Sequence, residues 1–149
     1  MKELVFALEF KGTAAPVPGS QNRLRAQTSA NGQTLRSTLK PDGIQAGIEP
    51  IGGDQATFES EVEMVGNGAF LESGTITYGR AGKLSFKTVG RGVLGPSPLA
   101  GTQRGAVIWE ITDGQGQFKG AQGLITSNFT VGAQGEVTDD HFVRIFLPS

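Results

Sequence analysis

The sequence contains no cysteine. That excludes disulfides, thiol nucleophiles and Cys-ligated metals, and a chain with no disulfide framework suits a reducing cytoplasm. His141 is the sole histidine, so a Ser-His-Asp arrangement would have one choice of base. No apolar run approaches the roughly 20 residues that cross a bilayer as a helix. The opening stretch, Met1 to Phe10, alternates, carries Glu9 and ends without a small-residue cleavage site, so it does not read as a secretory signal. Neither sign of charge prevails: 13 basic and 14 acidic side chains leave a net charge of −1. A nucleic-acid binder needs a basic field to displace counterions from phosphates, and Arg23, Arg25 and Arg36 amount to a local solvated patch. The expectation is a cytoplasmic protein with neither membrane nor nucleic acid as partner.

Helical spacing is missing too. Nowhere do apolar residues recur at i, i+3, i+4 and i+7 over three turns. Glycine is abundant instead, at 23 residues with 7 prolines, and it falls between segments of period-two alternation, where turns need positive φ. The segments are 3–11, 23–30, 33–40, 44–49, 55–65, 69–78, 83–91, 105–112, 121–131 and 136–147. Asn31-Gly32 predicts a tight hairpin between 23–30 and 33–40, and Asn67-Gly68 another after 55–65. Short connections make antiparallel neighbours. With no helix to cover a sheet edge, closing the sheet removes the unpaired backbone. The predicted fold is all-β: one domain over residues 1–149, a closed antiparallel barrel of about eight strands, with a two-sheet sandwich as the alternative. A barrel of that size holds its own side chains or one small ligand.

The segment Ile111-Thr112-Asp113-Gly114-Gln115-Gly116-Gln117-Phe118-Lys119-Gly120-Ala121-Gln122-Gly123 resembles the I-T-G-G-x-G-x-F-x-G-A-x-G stretch of allene oxide cyclase-like barrels. Dirigent proteins and bacterial relatives of unknown function carry similar versions. The resemblance implies an eight-stranded antiparallel barrel with an interior cavity, association into dimers or trimers, and chemistry that steers cyclisation or coupling of reactive organic intermediates. Its glycines suit a tight strand connection with Phe118 tucked beneath it. Asp113 stands where the pattern has glycine, and the catalytic residues of the plant cyclases have no matching positions here.

Chemistry-bearing residues are few. His141 follows Asp139 and Asp140; alternation puts Asp139 and His141 on one face, as a general base or acid with a carboxylate partner or as a strand-end histidine beside a turn. Only Asp139, His141 and Glu136 cluster in sequence, too few for a metal site; neither metal nor cofactor is expected. Glu59, Glu61 and Glu63 share a face opposite Phe58, Ser60, Val62 and Met64, and read as solvated. Glu72 and Glu110 stand as single acids; Glu110, among Val107, Ile108, Trp109 and Ile111, either points out or works in the site. Asn128 lies on a polar row that faces a ligand or water. Trp109 and Tyr78 are core or ligand platform. The stretch 92–104, containing Leu94, reads as a lid flanked by Arg91 and Arg104, which would attract an anion, or as a surface loop against a neighbouring subunit. Gly79 to Lys83 lacks the spacing of a phosphate loop.

These residues suit a barrel that binds a small apolar or amphipathic molecule and, if catalytic, isomerises or cyclises it without a cofactor. Glu110, His141 and Asn128 are the candidate catalytic residues; Arg104, Arg91, Trp109, Tyr78 and Leu94 are the candidate ligand contacts. A non-catalytic carrier or sensor, and a structural oligomeric module, remain the alternatives.

Overall fold

A computed structural model describes residues 1–149. It has eleven strands: β1 (Lys2–Pro16), β2 (Arg23–Ala30), β3 (Gln33–Lys40), β4 (Gly43–Pro50), β5 (Ala56–Gly66), β6 (Ala69–Tyr78), β7 (Gly82–Thr88), β8 (Gly92–Pro96), β9 (Thr102–Gly116), β10 (Gln122–Gly132) and β11 (Glu136–Leu147). Eight of them close a barrel in the order β1-β2-β5-β6-β7-β9-β10-β11, each pair antiparallel, with β11 returning to β1. Closure excludes the sandwich. There is no helix long and apolar enough to cross a membrane.

Period-two alternation sets the two faces. On β5, Ala56, Phe58 and Ser60 are buried while Thr57, Glu59 and Glu61 are exposed, as the glutamate row predicts. At one level of the interior, Phe10, Phe58, Phe86 and Trp109 fill the barrel, the Phe86 and Trp109 ring centroids 4.4 Å apart. Truncating one such ring to alanine costs about 3–5 kcal/mol. Asn67-Gly68 makes the predicted turn, with φ of 55° and 75°; a type I′ turn requires positive φ at both positions. In the family-like segment, Phe118 is buried and its carbonyl lies over Gly114, where a Cβ would come within 1.9 Å of that oxygen.

Two expectations are overturned. Asn31-Gly32 does not join a hairpin. β2 pairs with β1 and β5, whereas β3 pairs with β4 across Pro41-Asp42. The pairing of β2 with β5, from Arg23↔Glu63 to Ala30↔Ala56, outweighs the local turn preference, because it buries Ala26, Thr28 and Ala30. Asn31-Gly32 is instead the neck of an insertion, fastened by Ile51 N–H donating to the Gly32 carbonyl at 2.9 Å. The β3–β4 ribbon stands outside the barrel as a separate sheet. At its base the Gln33 amide takes a strand's place beside β1, accepting from Glu9 N–H at 2.7 Å and donating to the Glu9 carbonyl at 3.2 Å.

The stretch 92–104 is likewise no lid. β8 pairs with β9 from Val93↔Ala106 to Pro96↔Gln103 and with β6 at Phe70↔Gly92. It continues the wall where β7 ends at Thr88, and hydrogen bonds on both of its sides hold it there.

Candidate functional site

Above the aromatic layer the barrel stays open. A cavity of about 200 Å³ is lined by apolar side chains, among them Val62, Met64, Phe70, Leu94 and Phe129, together with the acids Glu72 and Asp139. This is below the ~300–1,000 Å³ of sites for drug-sized ligands. At about 30 Å³ per water-sized atom it takes a molecule of roughly seven non-hydrogen atoms.

Glu72 sits on β6 between Phe70 and Ile76 in the alternation, so parity turns it inward. Its strand position falls where β7 stops. There the Thr88 hydroxyl accepts from Glu72 N–H at 2.7 Å and donates to the Glu72 carbonyl at 2.8 Å, which fixes the backbone without a full strand partner. Its carboxyl group accepts from Ser60 Oγ. Burial pushes the Glu72 carboxyl up to about 8, and the Asp139 charge adds to the rise against the opposing Ser60 hydrogen bond. At neutral pH Glu72 is therefore a carboxylic acid, a proton donor facing an apolar space.

Asp139, on β11, is 6 % exposed. Its Oδ1 accepts from Ser127 Oγ at 2.6 Å and its Oδ2 lies 2.9 Å from His141 Nε2. His141 is 1 % exposed and stacks on Phe10 with centroids 4.3 Å apart. Its Nδ1 has no partner, as with Trp109 Nε1 and Thr28 Oγ1. Trp109 Nε1 lies close enough to Glu72 to favour the charged carboxyl, yet no hydrogen bond closes between them. An imidazole that donates Nε2–H to Asp139 fits this geometry. His141 is not among the residues lining the cavity; it holds Asp139 from behind. No three acidic or imidazole groups converge as a metal ligand set.

The expected site residues divide between the two faces. Trp109 and His141 point inward, in the layer beneath the cavity, and Leu94 lines the cavity. Tyr78 also turns inward, but beside Phe6 and Phe118 rather than at this cavity; burial pushes its phenol well above the ordinary range. Glu110 is corrected outright. It lies on the outer face, 46 % exposed, 3.4 Å from Lys87 Nζ, because the neighbouring Trp109 takes the inward parity. Asn128 is exposed for the same reason: Ile125, Ser127 and Phe129 turn in, so its polar row turns out. Arg91 and Arg104 are exposed and neither lines the cavity, which has no basic side chain at all. The anion-attracting entrance is thereby withdrawn. A larger groove, about 570 Å³, runs along the outside of the wall past Asn128 and Arg91; it is open to solvent, and neither Glu72 nor Asp139 lines it.

Ser127 and Thr28 have no role in the sequence analysis, Ser60 stands there only as part of the face opposite the glutamates, and Glu72 only as a single acid. One signal marks all four: a polar residue at the parity of its strand's buried apolar positions, such as Ser127 between Ile125 and Phe129. Searches against protein-family models, curated proteins and solved structures gave no match.

Proposed function

We propose that this chain is a cofactor-independent isomerase or cyclase that moves one proton on a small, largely apolar carbonyl compound held in the open half of the barrel. The observation that carries the reading is the cavity floor. There two carboxyl groups share an apolar space, and Glu72 is held as an acid beside Asp139. Asp139 takes a proton from the carbon next to the carbonyl. The C–H electron pair moves into the carbon framework, and Glu72 donates a hydrogen bond to the oxygen as it gains charge. Where a C=C adjoins that carbon, Asp139 then returns the proton to the far end of the dienolate as the double bond shifts into conjugation, so that atoms and charge balance. A base so placed contributes roughly 10²–10⁴-fold and a pre-aimed donor about 10²–10³-fold. His141 and Ser127 are positioning residues for Asp139. The family-like segment supports the same reading of a cavity that steers organic intermediates, and the absence of cysteine suits a cytoplasmic location.

The test is a ligand panel followed by turnover in D₂O. Trp109, the single tryptophan, reports binding by its fluorescence. A bound ketone should then gain deuterium by NMR, and Asp139→Asn should slow the exchange at least a hundredfold with binding retained. One observation favours a carrier instead: each carboxyl already has a serine hydroxyl of its own. Ligands that bind and return with no deuterium would decide for the carrier.

A further inference from the structure

The β3–β4 ribbon is amphipathic. Cross-strand partners share a face, so Leu35↔Ile48, Ser37↔Ala46 and Leu39↔Ile44 form one side, and Thr34↔Glu49, Arg36↔Gly47 and Thr38↔Gln45 the other. Every residue of the two strands except Gln33 is exposed, and at the tip Leu39 and Ile44 are 80 % and 72 % exposed. A two-stranded ribbon by itself is marginal in water. This one nevertheless projects an apolar tip with nothing upon it, while Leu35 and Ile48 on the same face, nearer the barrel, are 40 % and 38 % exposed.

The outer barrel wall carries a matching surface. The register aligns Ala7, Phe142, Thr126 and Ile108 across β1, β11, β10 and β9, and Val89 N–H donates to the Ile108 carbonyl at the end of the row. This row has no charged residue, whereas the next row carries Arg144 and the Lys87–Glu110 pair. Phe142 and Ile108 are 48 % and 44 % exposed, and the row floors the outer groove, one wall of which is Leu35.

We propose that arm and row are two halves of one self-association surface: the arm of one copy lies, apolar face down, on the barrel wall of another. The area argues for a second copy as the occupant. Alone, the chain exposes 8907 Å², about 1,700 Å² more than the ~7,200 Å² of a monomeric protein of 15.6 kDa. A standard contact covers about 800 Å² on each partner. A chain that gives one arm and receives one covers roughly 1,600 Å², close to the whole excess. Two copies that each lay their arm on the other's wall make a reciprocal contact, which closes the assembly as a twofold dimer.

Sedimentation velocity of the full chain at micromolar concentration should show a closed oligomer. Leu39→Lys combined with Ile44→Lys, at positions that support no part of the core, should weaken it about a hundredfold or more, with unchanged Trp109 emission as the check on folding. Because the chain has no cysteine, Leu39→Cys protein mixed with Thr126→Cys protein should give a disulfide-linked heterodimer under mild oxidation. A monomeric wild-type chain overturns the proposal, as does an oligomer that ignores the arm substitutions. Mixed samples that cross-link no faster than either variant alone overturn it too.

Discussion

Substitution of Glu72 by glutamine makes a pH-dependent stability measurement that reports directly on the buried acid. The folded carboxyl titrates near 8 and the unfolded one near 4.5. Below 4.5 both states are protonated and the group has no effect. Between the two values the unfolded chain has released its proton and the folded chain has not, so folding holds the extra proton and stability falls as pH rises. The slope is about 1.4 kcal/mol per pH unit. Across the window of about 3.5 units this amounts to roughly 5 kcal/mol, fully lost above pH 8. Glu72 is almost wholly buried, so little of this is screened by solvent. Urea unfolding of wild type and Glu72→Gln from pH 5 to 9 should therefore give curves that diverge. The glutamine variant, with nothing to ionise, gains on wild type by about 1.4 kcal/mol for each pH unit until the difference levels near pH 8. Trp109 emission, which reports on the neighbouring floor, should titrate with the same midpoint in wild type and not in the variant. Two stability profiles that stay parallel through this range would refute the assignment of Glu72 as a neutral acid.

Asp139→Asn removes a neighbouring negative charge, so the Trp109 fluorescence midpoint should move below that of wild type; an unmoved midpoint would mean the two carboxyls do not sense each other. Gly92→Ala places a Cβ 2.2 Å from the Phe70 ring; urea denaturation should show a loss of about 1–3 kcal/mol and ligand affinity should fall as the ring is driven into the cavity. Glu110→Gln breaks an exposed pair with Lys87, and both stability and ligand response should stay within about 0.5 kcal/mol of wild type.

Fold class was legible because its signal is repeated. Ten alternating segments, none with helical spacing, leave few architectures, and strands such as 69–78 and 136–147 match their structural bounds. The neck at Asn31-Gly32 was not legible: a two-residue turn signal is local, whereas the β2–β5 pairing that overrides it joins residues far apart in sequence. The site was half legible. Asp139 and His141 share an inward face as alternation requires, but Glu110 and Asn128 were drawn from the wrong parity. Glu110 looks buried by sequence because Ile108 and Ile111 surround it, yet Ile108 is itself exposed on the outer row. An apolar outer face hides which parity is the core, since a shift of one residue exchanges every inside and outside position.

The position of Glu72 separates a working barrel from a structural one. Its inward neighbours on β6 are Phe70 and Ile76, both nearly inaccessible, and an apolar side chain at 72 would complete that face with no carboxyl to desolvate. Glu72→Leu should accordingly be more stable than wild type at pH 8.5, by the roughly 5 kcal/mol of the titration penalty less whatever strain the branched chain meets. The same substitution removes the only carboxylic acid held neutral over the cavity. If proton transfer on the ligand is the function, one change should raise stability and abolish turnover while the apolar cavity still binds, the trade expected where a destabilised group does chemistry. A Glu72→Leu protein that gains stability and keeps full turnover would leave Asp139 acting alone. One that gains stability where wild type never turned over a bound ligand would leave the barrel a carrier.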